Sequence, residues 1–550
     1  MKHKILYITL ITLLGLSSCR KDFLDRQPLD AISDDTFWTT EEQLTLAVNA
    51  LYANIKASNT VAMDQMGDNS INSTTTDNYR ILGSGNFGVD LATVNDEWRT
   101  QFAGIRQCNV FLQNYEKAIA VTDVKKRQMA GEAKTIRAYM YMNLTSFFGD
   151  VPLVTKPLNV DELNGPRNSR KEVVDFILAE LQEAAGMMQA APQTGGTLGR
   201  LSRGAALGLR ARMALYDERW AEAEKSAKEV MDLGVYSIYT TGKPAVDYYN
   251  FFTYMGKLSG GANKETIIAR LHLSDVSMHN ISRESQVPDQ SSRYNPTKAL
   301  VDAYLCIDGL PIDKSPLYKE DTYAHVWDNR DPRMRMTVLA PGGTWGGKKD
   351  GNPANNNPAI FTAPKFVSDK LGSVTTTGYY YTKYVEVSTV SQVSKDQNDI
   401  HVLRFGEILL TYAEARLEQG ILTQADIDLT INKLRDRVGM KRMTLTDIAA
   451  NGLDLRTEVR RERRIELARE GQRWFDIIRW KQGGLLAADV KGMKKSLAAV
   501  PSQVANLASD ANGFIIVQNG RQFVDPKHYR WPVPLIQLQR NPALGQNPGW

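Results

Sequence analysis

Across 550 residues, 42% of them apolar and 9% aromatic, the chain carries enough core-forming material to exclude a disordered or fibrous protein. Its 67 Lys and Arg against 62 Asp and Glu leave a net charge of +5, too weak a field to point to a nucleic-acid partner. Three cysteines and six histidines rule out a disulfide framework and supply little for a His/Cys metal cage, so packing has to provide the stability.

The amino terminus reads as an address. Lys2, His3 and Lys4 make a positive start, Ile5 to Leu16 form a mostly apolar run of twelve residues, and Leu16-Ser17-Ser18-Cys19 closes it. Twelve helical residues span about 18 Å, short of a hydrocarbon core of roughly 30 Å, so the run is a signal-peptide core and not a membrane span. A cysteine directly after Leu-Ser-Ser has the form of a bacterial lipobox. Residues 1–18 are then a removable signal, and Cys19 is the lipidated first residue of the mature chain. No later stretch approaches the ~18 continuous apolar residues of a spanning helix, which makes acyl chains on Cys19 the expected membrane attachment. Cys108 and Cys306 lie among apolar neighbours and are expected to be buried thiols.

Helical periodicity begins at Thr40, whose pairing with Gln43 is a capping-box pattern; Leu44, Val48, Leu51 and Ile55 follow at spacings of four, three and four. Trp98, Phe102, Ile105 and Leu112 mark a second helix. Met129, Ala133, Ile136, Met140 and Phe147 mark a third, ended by Gly149 and Pro152, and Ser169 with Glu172 opens a fourth carrying Val174, Ile177, Leu181 and Met188. Leu209, Met213 and Tyr216, a tight Asp217-Glu218-Arg219 turn, then Trp220, Ala223, Ala227 and Val230 form a helical hairpin. Alanines at spacing four let its arms approach closely, as in a tetratricopeptide unit. A second hairpin is expected from Arg404 to Gly439, with Phe405, Leu409 and Tyr412 facing Ile427, Ile431, Leu434 and Val438. Between the two, from about Gly234 to Ile400, Gly, Pro, Asn, Thr and Tyr accumulate and the periodicity fades. Within that stretch Pro341 to Pro358 is a Gly- and Asn-rich loop, and runs such as Thr375 to Val390 could add minor strands.

Catalytic motifs fail on inspection. Gly83-Ser84-Gly85-Asn86-Phe87-Gly88 matches G-x-G-x-x-G with no strand before it and no apolar helix after it, and reads as a flexible loop. Gly342 to Lys348 mimics a phosphate loop, but Lys349 stands where the magnesium-binding Ser or Thr belongs. H-E-x-x-H, G-x-S-x-G and paired-cysteine zinc spacings are missing. His272 and His279 stand seven apart and isolated, and nothing nominates a pair among the 62 acids for glycoside hydrolysis. No catalytic residue, metal ligand or cofactor is assigned. The densest charge cluster, Arg456 to Arg473, holds seven arginines and four glutamates. Glu458, Glu462, Glu466 and Glu470 form a column at spacing four that would repel itself. Arg461, Arg469 and Arg473, each three residues after one of these acids, are expected to compensate it as an ion network in preference to forming a phosphate site.

These segments together carry a resemblance. Cys19-Arg20-Lys21-Asp22-Phe23-Leu24-Asp25 with Pro28, Trp98 with Cys108-Asn109, and Gly131-Glu132-Ala133 to Phe148-Gly149-Asp150-Val151-Pro152 occur in order. Asn295-Pro296-Thr297, Asp308-Gly309 and Arg330-Asp331-Pro332-Arg333 follow, then Leu403-Arg404 to Tyr412-Ala413-Glu414-Ala415 and Leu434-Arg435 to Gly439. Glu462-Arg463-Arg464 to Trp480 and Trp531-Pro532-Val533-Pro534 to Asn547-Pro548-Gly549-Trp550 complete the series. The mature chain resembles, over essentially its whole length, the SusD/RagB-like outer-membrane lipoproteins of Bacteroidetes. The resemblance implies a mainly α fold, a SusD-like α/α superhelix of tetratricopeptide-like hairpins with minor β. It implies a single domain over 19–550: a helical scaffold at about 40–233 and 402–480, a loop-rich ligand-binding insertion at about 234–400, and an extended C-terminal segment at 525–550. It further implies a surface lipoprotein that captures an oligosaccharide without catalysis and partners a TonB-dependent transporter; some relatives capture peptides. A surface glycoside hydrolase and a pure tetratricopeptide scaffold are the competing readings.

The shared motifs read as scaffold, so binding residues are sought elsewhere. Sugars present flat C–H patches and paired hydroxyls, which calls for exposed aromatic faces beside amide, carboxylate or guanidinium groups held on loops. Asp64 to Arg80, a segment without helical period, offers Asp68, Asn69, Asn72, Asp77, Asn78, Tyr79 and Arg80; the insertion offers Tyr294, Trp327 and Trp345. Core packing accounts for Trp327 and competes for Tyr294. Trp345, flanked by glycines, is the expected exposed stacking platform. The expected ligand-binding residues are therefore Asn69, Asn72, Asp77, Asn78, Tyr79, Arg80, Tyr294 and Trp345.

Overall fold

A computed structural model of the chain describes residues 37–288, 290–347, 359–368 and 372–550. Cys19 and the signal segment lie outside the described residues, as does 348–358 of the Gly/Asn-rich loop.

Helices dominate. α1 (Glu41–Leu51) begins at the expected box: Gln43 N–H donates to Thr40 Oγ1 at 3.3 Å, and Gln43 Oε1 accepts the Thr40 N–H at 3.1 Å. α2 (Asn78–Ser84), α3 (Ala92–Asn114), α4 (Asp123–Phe148) and α5 (Arg170–Met187) follow, α4 closing on Gly149 at φ 77° and α5 opening on the Ser169/Glu172 box. α6 (Arg203–Tyr216) and α7 (Trp220–Asp232) are the hairpin the alanines foretold: Ala223 and Ala227 are fully buried between the arms. The later helices are α8 (Phe405–Glu418), α9 (Gln424–Leu429), α10 (Ile431–Val438), α11 (Leu455–Glu466) and α12 (Arg473–Arg479). α4 packs on α3 and α5, α5 on α6, α6 on α7, and α7 on α8, so α8 joins the first helical stretch across the whole insertion.

The second hairpin differs from expectation in its return arm, which is broken into α9 and α10. Thr430, at φ −124° and ψ −84°, donates its hydroxyl to the Asp426 carbonyl four residues back at 2.6 Å. A β-branched residue bonding its own helix's backbone in this way trades helical continuity for a kink.

Among the described residues, eight short strands form four two-stranded antiparallel ladders: β1 (Ser70–Asn72), β2 (Thr266–Arg270), β3 (Tyr294–Pro296), β4 (Thr344–Trp345), β5 (Ala359–Ile360), β6 (Ile400–Arg404), β7 (Val490–Lys494) and β8 (Phe514–Gln518). β1 pairs with β3, β2 with β6, β4 with β5 and β7 with β8. The run from Thr375 to Val390 forms isolated bridges at most. Its tyrosines, Tyr379, Tyr380, Tyr381 and Tyr384, are packed inward instead, because the core of the insertion is built from rings.

Among the described residues, one large apolar core fills the helices, and two smaller aromatic cores lie beneath the insertion. The C-terminal segment docks on the end of α4: Trp531 stacks on Phe147 with ring centres 4.1 Å apart, its N–H donates to the Phe147 carbonyl at 2.7 Å, and the Asn547 amide donates to the Phe148 carbonyl at 2.8 Å. Cys108 and Cys306 are buried free thiols. Among the described residues no helix is long and apolar enough to cross a membrane.

Candidate functional site

The two regions singled out in the sequence meet, but as structure. β1 lies beside β3, which sets Asn72 opposite Tyr294. Asp64 to Arg80 is not an irregular projecting loop. It contains a 3₁₀ turn at Met63–Met66, then β1, then the start of α2, whose first turn Asp77 caps by accepting the Arg80 N–H at 3.0 Å. Asn69 is fully buried; its side-chain oxygen accepts from Arg464 Nε at 2.8 Å. Asn72 is buried too, its oxygen accepting the Thr74 N–H at 2.9 Å, and Arg80 turns inward to the Asn72 carbonyl at 2.6 Å. Tyr79 is half-buried against the helical core, and Asn78 alone of this set is exposed. Tyr294 is buried and donates its hydroxyl to Glu284 at 3.0 Å.

Trp345 corrects the main expectation. It is only 7% exposed and packs on Phe361 and Tyr380, with ring centres 5.8 and 5.9 Å away. A side chain at Gly347 or Gly372 would run into the indole, so the neighbouring glycines are there to let the ring lie in the core and not to project it. The other expectation to fall is that His272 and His279 are isolated: their rings meet edge to face at 4.7 Å.

A cleft of about 610 Å³ opens in the insertion beside these residues. Its walls come from two short helices. In the helix Asp247–Phe251, the buried Asp247 carboxylate accepts from the Thr240 and Thr241 hydroxyls at 2.8 and 2.6 Å and from the Thr241 and Lys243 N–H groups at 2.9 and 3.0 Å. That clamp turns Tyr248 and Phe251 into the core and leaves Tyr249 half-exposed on the opposite face. The Tyr249 hydroxyl donates to the Val385 carbonyl at 2.9 Å, which fixes the ring. In the helix Pro332–Thr337, Asp331 caps the first turn and Pro332 starts it; Met334 and Met336 point inward, while Arg335 stands half-exposed at the rim, held by the Trp327 carbonyl at 2.9 Å. The β4 strand completes the wall by alternation, burying Trp345 on one face and presenting Thr344 on the other. Val246, Leu339 and Ala340 supply apolar floor, and Thr382 a further hydroxyl. Among the described residues, no Asp, Glu, His or Cys lines this cleft.

None of these lining residues was among the binding residues expected from the sequence, although Thr344 lies in the Gly- and Asn-rich loop and Thr382 in the run Thr375 to Val390. Tyr249 sits in the run Tyr248-Tyr249-Asn250-Phe251-Phe252, where helical spacing is the one signal that separates it from its buried neighbours.

Beneath the insertion lies the charge network, and its wiring is not the expected one. Arg461 does pair with Glu458, at 3.1 Å. The remaining column is bound across the fold. Glu466 accepts from Arg333, Arg404 and Arg437 at 2.9, 2.9 and 2.6 Å; Glu462 from Arg333 and Arg435 at 2.6 and 2.9 Å; Glu470 from Arg404 and Lys383 at 2.8 and 2.7 Å. Arg469 and Arg473 are off the helix, because α11 stops at Glu466 and the chain turns through Arg469 at φ 66° and Gly471 at φ 71°. Arg469 donates instead to the Lys383 carbonyl and the Ser285 hydroxyl, and Arg473 to Asp68 at 2.6 Å. The three arginines hold the Glu466 carboxyl far below the usual carboxylate range against the cost of its burial, while burial pulls Lys383 down to about 8.

The architecture thus defines a helical-hairpin chassis with a ring-filled, loop-rich insertion bearing an open cleft. Residues 268–550 match the family model described as SusD family, and residues 22–215 the one described as starch-binding associating with outer membrane. A SusD-like protein of Formosa agariphila is 24% identical over 503 residues, covering 89% of this chain and 93% of that one. Two solved structures from Bacteroides fragilis are similar at 27% identity. One, a SusD-like carbohydrate binding protein, has a TM-score of 0.78 over 92% of this chain and 100% of that one; the other, a SusD-like protein, has 0.77 over 96% and 100%. The chain belongs to the SusD family.

Proposed function

We propose that this protein is a cell-surface lipoprotein, anchored through Cys19 in the outer membrane, that captures an oligosaccharide without catalysis and passes it to a partner TonB-dependent transporter. The observation that carries the reading is the cleft between Tyr249 and Arg335. A fixed aromatic face, a tethered guanidinium and the Thr344 and Thr382 hydroxyls surround an apolar floor, and about 610 Å³ lies within the range of small-ligand sites. Glycoside hydrolysis requires two carboxylates flanking the scissile bond, and the described residues lining the cleft offer none, which favours capture over cleavage. The relative from Bacteroides fragilis that shares 27% of its residues is described as carbohydrate binding. Membership of the SusD family supports the surface location and the transporter partner.

Titration calorimetry against a panel of neutral oligosaccharides tests the reading. Saturable binding is expected for at least one, weakened about tenfold or more in Tyr249→Ala, since a stacked ring contributes on the order of 1 kcal/mol beyond its buried area. Binding unchanged in both Tyr249→Ala and Arg335→Ala refutes the cleft, and shortened products in the cell refute capture without catalysis.

A further inference from the structure

A second pocket, of about 340 Å³, lies outside that cleft, where α11 meets the residues around α12. Its wall is built from guanidinium groups: Arg456, Arg460, Arg461 and Arg464 from α11, and Arg473 from α12. Arg456, Arg460 and Arg464 recur at spacing four, so one face of α11 presents them side by side. Three carboxylates are paired to these five cations. Glu418 Oε1 is shared by Arg456 and Arg460 at 3.1 Å each, Glu458 serves Arg461, and Asp68 is shared by Arg464 and Arg473 at 3.1 and 2.6 Å. Asp454 also lines the pocket, but its Oδ2 is taken by the Thr457 N–H and hydroxyl at 2.8 and 2.6 Å. Five positive groups against four negative ones leave an excess positive charge. Sharing also spreads the compensation thinly, since Glu418 and Asp68 each serve two guanidiniums. The site is built and not merely superficial. The Arg473 side chain is 6% exposed and Arg464 15%, with Arg464 also braced by the Asn69 amide oxygen, and Arg460 lies 4.7 Å over the Trp480 ring, which forms another wall.

We propose that this pocket binds an oxyanion carried on a sugar residue, a sulfate ester or a uronate carboxylate, and so selects acidic glycans. The inference rests on the glycan-capture reading. The planar, multiply donating guanidinium is the group suited to carboxylate and sulfate oxygens, and a volume of about 340 Å³ exceeds what a bare ion fills and admits the ring that bears it.

The test is calorimetry at low and at physiological salt with inorganic sulfate, a galacturonate trisaccharide, a carrageenan tetrasaccharide and its desulfated counterpart. The native protein is compared with the rim variant Arg456→Gln/Arg460→Gln, whose side chains are the easiest of the five to lose without disturbing the buried Asp68 pairs; thermal unfolding confirms that the variant is folded. The expected result is tighter binding of one acidic oligosaccharide than of the neutral one, an affinity that falls with added salt, and a loss of at least about tenfold in the double variant, with neutral binding unchanged. The galacturonate and carrageenan arms distinguish carboxylate from sulfate. Neutral and acidic sugars bound alike by both proteins overturn this inference and leave glycan capture standing. Arginine-dependent binding of inorganic sulfate without binding of any oligosaccharide overturns the sugar assignment and the capture reading together.

Discussion

Glu466 is the residue whose loss the fold should tolerate least. Around it, Arg333, Arg404, Arg435, Arg437 and Lys383 face Asp331, Glu265, Glu462, Glu466 and Glu470, five cations against five anions, with every side chain almost wholly removed from water. Glu466→Gln keeps the shape and deletes one charge, so it opens no cavity and isolates the electrostatics. Three guanidiniums then lose an anionic partner, and the cluster carries an unmatched positive charge in a low-dielectric interior. Breaking a buried pair in this manner costs about 3–5 kcal/mol. The assay is unfolding free energy from guanidinium titration followed by tryptophan fluorescence. Glu466→Gln/Arg437→Gln, which restores neutrality, should recover about 1–3 kcal/mol relative to the sum of the single changes. A Glu466→Gln variant within about 1 kcal/mol of the native protein would show that the network is solvated or rearranges freely, and would refute the argument.

Trp345→Ala should cost about 3–5 kcal/mol of stability, because it empties a packed ring site; calorimetric unfolding at an unchanged midpoint would restore the exposed-platform reading. His401 is fully enclosed, stacked 4.2 Å from Phe251, and burial lowers its pKa from 6.5 to about 4. A neutral buried imidazole stabilises fully above pH 6.5, and that contribution is lost as pH falls towards 4, by up to about 3 kcal/mol. Asp64, raised by burial to about 6, works in the opposite sense over the same range, so the diagnostic is the difference. Stability should fall less steeply from pH 7 to 4 in His401→Gln than in the native protein, and parallel curves would contradict the assignment. Cys19→Ala should release the protein from membranes into the soluble fraction on cell fractionation, whereas retention would remove the anchor.

The helical chassis was legible because its signals are local. Thr40 with Gln43, Ser169 with Glu172, the alanines at 223 and 227 and the stop at Gly149 each act within a turn or two of their own position, so neighbours in sequence suffice to read them. The break at Thr430 was missed because it depends on a hydroxyl choosing a backbone carbonyl, an option the spacing of apolar residues does not reveal. Local reading failed more deeply on Arg469 and Arg473. Counted along a helix they face Glu466 and Glu470, but Gly471 must turn where the Thr60 carbonyl presses against it, and that contact joins residues more than four hundred positions apart.

What the amino-acid sequence determined by itself is the family, the helical hairpins and their order, since caps, periodicity and motif succession survive without coordinates. The placement of candidate binding groups was decided by tertiary structure alone. Glycines beside Trp345 are compatible with a projecting ring and with a buried one, and only the presence of Phe361 and Tyr380 against its faces chooses between them. Tyr249 and Arg335 converge because Asp247 and Asp331 fix two separate short helices, and Arg464 of α11 meets Arg473 of α12 because Asp68, far away in sequence, arrives between the two. Burial and convergence are properties of what packs against a residue, and in the insertion those partners, such as Phe361 and Tyr380 on Trp345 or Ile465 and Met493 in the same core, lie many positions away in sequence.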